Sequence, residues 1–135
     1  MATARVEVEL DSEAGAVWAV VGDFAAAADL APGFVTDCTL EGDERIVAFA
    51  SGFVAREKLL ALESDRRRLV YSARGGRAEH HQAVMEVVGR PSGSLLRWTA
   101  DVLPDSLAPF LQGMMEQGAA AMSRRFASQP AEPVA

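Results

Sequence analysis

The sequence predicts an α+β fold, a seven-stranded, curved antiparallel sheet wrapped around one long C-terminal helix, with two short helices between strands 1 and 2. Three observations carry this expectation. Residues 34–103 read as six short runs of alternating apolar and polar side chains separated by turn residues, which is the pattern of a meander. From Ser106 to about Phe126 the apolar residues recur at helical spacing, over some 30 Å of helix. Between the first strand and the meander lies a segment, 11–33, whose apolar residues fall at spacings of three and four.

In chain order, Val6, Val8 and Leu10 alternate with Arg5, Glu7 and Glu9, giving a first strand with one wet face. Asp11 or Ser12 is placed to cap a helix whose Ala14, Val17, Trp18 and Val21 share a face. Gly22 and Asp23 break that helix, a short Ala-rich turn follows, and Pro32-Gly33 stops it. The strands of the meander are then Phe34–Leu40, Arg45–Ala50, Phe53–Glu63, Arg68–Arg74, Glu79–Val88 and Ser94–Leu103, with turns at 41–43 and at Ser51-Gly52. Pro104-Asp105 ends the sheet. Asp105 or Ser106 is placed to cap the long helix, and Pro109 falls in its first turn, where a missing N–H is harmless. One domain over residues 1–127 and a flexible tail over 128–135, with two prolines, complete the expected organisation.

The helical insertion carries a pattern of Val17-Trp18, an acidic residue five positions later (Asp23) and a proline nine further on (Pro32). This pattern resembles the START-like, or helix-grip (SRPBCC), superfamily, and within it the polyketide cyclase/dehydrase and lipid-transport branch. The resemblance extends over nearly the whole chain and implies the same order of elements around a hollow that binds small apolar molecules. It also bears on single residues. The stretch Arg56-Glu57-Lys58-Leu59 followed by Asp65 resembles a recurrent pattern of Glu in a strand, acidic turn, then Tyr, with Tyr71 as that tyrosine. His81 stands where related proteins tend to have an aromatic or polar residue lining the pocket.

Alternation indicates which side chains face such a hollow. In the third strand of the meander Phe53, Ala55, Glu57, Leu59 and Ala61 share a face, while the opposite face carries the cations Arg56 and Lys58, so Glu57 should point inward. A carboxylate in an apolar pocket disfavours its charged form unless paired. Glu57 is therefore either a base or half of a salt bridge, with Arg97 or Arg74 as its mate. Tyr71 points inward with Leu69 and Ala73. His81 shares the drier face with Ala83, Met85 and Val87, and serves either to move a proton or hold a carbonyl oxygen, or as a rim histidine bonded to backbone or water. Trp98, with Leu96, Ala100 and Val102, is both an expected cavity wall and an expected core residue. On the long helix, Leu111, Met114, Met115, Gly118 and Met122 face inward, as plain core or as an adaptable wall. Gly113 and Gly118 each cost about 1 kcal/mol relative to Ala in a helix interior. Close helix–sheet packing or volume kept free for a ligand would account for them.

Composition narrows the function. A net charge of −6 over 135 residues gives no basic surface for nucleic acid, and Arg66-Arg67-Arg68 is read as a solvated turn. The single cysteine, Cys38, excludes an internal disulfide, and adjacent His80 and His81 point to opposite faces of a strand, so no metal is expected. No apolar run approaches the ~20 residues of a membrane span, and a cytoplasmic protein is expected. Its oligomeric state, a homodimer among the candidates, stays open. With no Gly-rich phosphate loop, nucleophile elbow or His-x-Glu metal signature, any chemistry rests on acid–base groups and pocket shape, without a cofactor. The reading that results is a carrier or sensor that binds a small hydrophobic or aromatic ligand between sheet and helix. One alternative is a polyketide cyclase/dehydratase-like enzyme with His81 or Glu57 as proton shuttle and Tyr71 holding an oxygen. A protein-interaction module is the second.

Overall fold

A computed structural model describes residues 1–127 of the chain. Its elements are β1 (Ala2–Leu10), α1 (Ala14–Val21), α2 (Ala27–Leu30), β2 (Val35–Glu41), β3 (Glu44–Phe49), β4 (Val54–Glu63), β5 (Arg68–Arg74), β6 (His80–Gly89), β7 (Ser94–Leu103), a 3-10 turn (Asp105–Leu107) and α3 (Ala108–Arg125). The segment 128–135, expected to be a flexible tail, lies outside the described residues.

Short hairpins lay each strand from β3 to β7 against its predecessor, and β7 then pairs with β1. The result is one antiparallel sheet of seven strands in the order β1-β7-β6-β5-β4-β3-β2. This is the α+β helix-grip arrangement that the sequence predicts. β1 and β2 are consecutive in the chain yet occupy opposite edges. The connection between them must therefore cross the sheet, and α1 and α2 make that crossing, α1 against β6 and β7, α2 against β2 and α3. Val17 and Val21 of α1 are fully buried there. Gly22 is the C-cap of α1, and the Trp18 ring lies against it so closely that a Cβ at this position would come within 2.9 Å of the indole.

α3 packs along β1 and closes that edge. The Gln112 side chain accepts from the Arg5 N–H and donates to the Arg5 carbonyl, both at 2.9 Å, which supplies the bonds a further strand would have made. Buried side chains fill one end of the space between sheet and helices: Leu69, Met85 and Leu96 from the sheet, Val17 from α1, Met122 from α3. Each such side chain contributes roughly 1.5–3 kcal/mol of hydrophobic stabilisation. Among the described residues, no helix is long and apolar enough to cross a membrane.

Three local expectations are corrected. Neither Asp11 nor Ser12 caps α1; Glu13 occupies the cap position without a side-chain bond, and the Ser12 hydroxyl instead donates to the Phe126 carbonyl near the end of α3. Neither Asp105 nor Ser106 caps α3. The intervening 3-10 turn moves the cap position to Leu107, and Asp105 pairs with the N-terminal ammonium at 3.0 Å. In β4 the register shifts between Leu59 and Ala61, so Leu59 lies opposite Tyr71 but Ala61 opposite Val70. A bulge of one residue reverses the alternation, and it takes Ala61 off the face that Glu57 and Leu59 share.

Candidate functional site

A cavity of about 500 Å³ lies between the sheet and the start of α3. Its sheet side is built from inward-facing residues of four strands: Ala55 and Glu57 of β4, Tyr71 and Ala73 of β5, His81 of β6, Trp98 and Val102 of β7. Its helix side is Leu107, Phe110, Leu111, Met114 and Met115. The β3–β4 hairpin adds Phe49 and Phe53, and the β5–β6 loop adds residues 74–78. Small side chains at Ala55, Ala73 and Ala78 are what leave the volume. An adjoining depression of about 420 Å³, reaching Ser51 and Arg124, shares the walls Phe34, Phe49, Phe110 and Met114 with it.

The sequence-predicted residues divide between the cavity and the packed end. Phe53, Glu57, Tyr71, His81, Trp98, Leu111, Met114 and Met115 line the cavity. Leu59, Ala83, Met85, Gly118 and Met122 lie off its wall, and Ala83, Met85 and Met122 are part of the buried core. Gly118 is explained by close approach: a Cβ there would meet the Trp98 ring at 2.9 Å and the Phe34 ring at 3.0 Å. Gly113 has open space around it, and nothing in the structure requires a glycine there.

Glu57 is not paired with Arg97 or Arg74. Its partner is Arg45, directly opposite it in the β3–β4 register, with Nε donating to Oε1 at 2.7 Å. Both are nearly inaccessible, at 4% and 6% exposed. Arg45 also donates to the Phe24 carbonyl at 3.2 Å, and its guanidinium lies 4.2 Å from the centre of the Phe24 ring and 5.2 Å from that of Tyr71. It is therefore held on three sides, in keeping with the planar, multidentate character of arginine. Burial pushes the Glu57 carboxyl up, and the charge and hydrogen bond of Arg45 oppose that push. Arg97 lies on the outer face beside Glu7, and Arg74 is held by two hydrogen bonds from its guanidinium to Glu44 at 2.9 and 3.0 Å.

The Trp98 indole N–H donates to the Tyr71 hydroxyl oxygen at 3.1 Å. Tyr71 is buried and its phenol is pushed well above its ordinary range, first by desolvation and then by the neighbouring Glu57. The phenol thus stays protonated, and its own O–H is left as a donor toward the cavity. Burial, assisted by His80, pushes the His81 imidazole below its ordinary value, so it is neutral at pH 7. Among the described residues the His81 ring has no hydrogen-bond partner. The site therefore offers a protonated phenol, a neutral imidazole and a carboxyl tied to an arginine, against a wall that is otherwise apolar except for Arg74, Arg77 and Ser106, all three exposed.

Sequence reasoning passed over Arg45, Phe34, Phe49, Phe110 and the 74–78 loop. Arg45 and Phe49 alternate with Val47 and so share its inward face. That alternation was the available signal. Among the described residues no group of three His, Cys, Asp or Glu side chains is placed to hold a metal ion.

Comparison with known proteins agrees with this architecture. A family profile described as polyketide cyclase / dehydrase and lipid transport matches residues 1–129. No match was found among curated proteins. Among solved structures, an uncharacterised protein from Bacillus thuringiensis superposes with a TM-score of 0.83 at 19% identity, covering 93% of this chain and 98% of that one. A solution structure from Thermobifida fusca shares 30% identity, with a TM-score of 0.76 and 93% of each chain covered. A truncated norcoclaurine synthase from Thalictrum flavum shares the fold at 18% identity, with a TM-score of 0.73 and coverage of 96% and 95%.

Proposed function

The chain belongs to the polyketide cyclase/dehydrase and lipid-transport family, and from that premise we propose that it binds a small hydrophobic or aromatic molecule in its internal cavity, as a carrier or sensor. The observation that carries this reading is the cavity itself. Its volume of about 500 Å³ falls within the ~300–1,000 Å³ of small-molecule sites, and such sites combine an apolar wall with a few convergent polar groups. Here those groups are the Tyr71 hydroxyl, which can donate to a ligand oxygen, and the neutral His81, which can donate or accept. A norcoclaurine synthase of the same fold has been crystallised with dopamine and hydroxybenzaldehyde, which supports small aromatic molecules as a class that this fold can accommodate. The net charge of −6 supports a small-molecule partner over nucleic acid, and the single free cysteine suits the reducing cytoplasm.

The enzymatic alternative, a cyclase- or dehydratase-like activity, has one observation in its favour. His81 is a neutral base on the wall of the cavity, and among the described residues its ring has no hydrogen-bond partner. Glu57 is less suited to that role because Arg45 already occupies it.

The test of binding is a plug. Ala73→Leu places three more carbons in the cavity from the floor of β5. The uncharged fluorophore phenylnaphthylamine should bind the native protein with a blue-shifted emission and lose that binding in the variant, while the unfolding midpoint changes little. Binding that survives the plug, or none to begin with, overturns the reading.

A further inference from the structure

We infer that the molecule taken up by this cavity is an anion, with an apolar body between sheet and α3 and a negatively charged head group held by Arg77 at the mouth. The inference rests on the cavity being a binding site and deepens that reading to a ligand class.

Three carboxyl or guanidinium side chains line the cavity: Glu57, Arg74 and Arg77. Glu57 is cancelled by Arg45, and Arg74 by Glu44. Arg77 remains. It lines the cavity, is exposed at its mouth, and among the described residues has neither an ion pair nor a side-chain hydrogen bond. That is unusual in this molecule. The chain has 19 acidic side chains for 13 basic ones; among the described residues nearly every cation has found a carboxylate, and Arg67, Arg77 and Arg124 are the ones without an ion pair there. Arg67 sits in the β4–β5 turn, remote from the cavity.

The backbone places Arg77 deliberately. Gly75 and Gly76 have φ of 122° and 74°, a conformation open to glycine and strained for other residues. It folds the β5–β6 loop onto the Phe53 ring so closely that a Cβ on Gly76 would lie 3.0 Å from it. Phe53 stacks in turn on Phe49 at 6.0 Å. The rim therefore joins a flat apolar surface to an uncompensated cation. An apolar wall on one side also lowers the local dielectric and strengthens the attraction of that cation for an anion. A carboxylate, sulfonate or phosphate head would pair with the Arg77 fork, while a neutral or cationic ligand would leave it unused.

Two fluorophores with the same aromatic body test this, anilinonaphthalene sulfonate and the uncharged phenylnaphthylamine, titrated into the intact protein, Arg77→Gln and Arg124→Gln. Arg77→Gln should weaken the sulfonate about tenfold, as expected for loss of one charge-assisted contact, and leave the neutral probe within about twofold. Raising the salt should narrow the sulfonate's affinity in the same direction, by screening. Arg124→Gln should change neither. If Arg77→Gln affects both probes alike or neither, or if Arg124→Gln is the variant that weakens the sulfonate, the inference falls while the cavity reading stands. If neither probe binds the intact protein, both fall.

Discussion

Replacing Arg45 with leucine is the most informative perturbation of this fold. Arg45 and Glu57 are both buried, joined at 2.7 Å, and the guanidinium is also anchored by the Phe24 carbonyl at 3.2 Å. Removing one partner of a buried ion pair costs about 3–5 kcal/mol because the other charge is left uncompensated. In Arg45→Leu the burial that already raises Glu57 acts unopposed, so the carboxyl holds a proton to higher pH than in the native protein. The folded variant then binds a proton that the unfolded chain, with an ordinary carboxyl, has released. Its stability is therefore recovered as pH falls toward the unfolded value and lost as pH rises. Urea unfolding followed by circular dichroism at about pH 5 and pH 8 should show the larger deficit at the higher pH. Adding Glu57→Gln should return a substantial part of it, since an uncharged amide carries no such penalty. A deficit under about 1 kcal/mol, or one that is the same at both pH values and indifferent to Glu57→Gln, would refute the assignment of this pair as the charge balance of the cavity wall.

Two further outcomes follow from the same geometry. Because burial lowers the His81 imidazole below the unfolded value of 6.5, the unfolded chain takes up a proton first as pH drops. The native protein should lose stability below that value relative to His81→Gln, at up to about 1.4 kcal/mol per pH unit, read as the difference between their unfolding free energies across pH 5–8. The two glycines of α3 should respond in opposite senses to alanine. Gly113→Ala meets open space and should stabilise by about 0.5–1 kcal/mol. Gly118→Ala drives a methyl into the Trp98 and Phe34 rings and should cost roughly 1–3 kcal/mol in spite of its better helix propensity, both read by thermal or urea unfolding.

The order and kind of the elements could be read from the chain because local rules carry them. Alternation with period two, turn residues between the runs, and one long stretch at helical spacing define seven strands and a terminal helix without knowledge of their partners. The same alternation was enough to point Glu57, Tyr71, His81 and Trp98 to one face, since a strand's facing depends only on its neighbours until a bulge intervenes, as at Leu60. Partners were beyond reach because they depend on loop length. A two-residue turn at Ser51-Gly52 would have set Ile46 opposite Glu57 and turned Arg45 outward. The hairpin instead closes from Phe49 to Phe53 around three residues, and that one extra residue brings Arg45 against Glu57. Which end of the hollow stays open was likewise decided in three dimensions. Gly118 allows α3 to close on Trp98 and Phe34, Met122 beyond it joins the packed core at one end, and the alanines of β4 and β5 face the other, where three separate loops meet. Periodicity reports a residue's facing, whereas the volume left between faces is a sum over elements far apart in the chain.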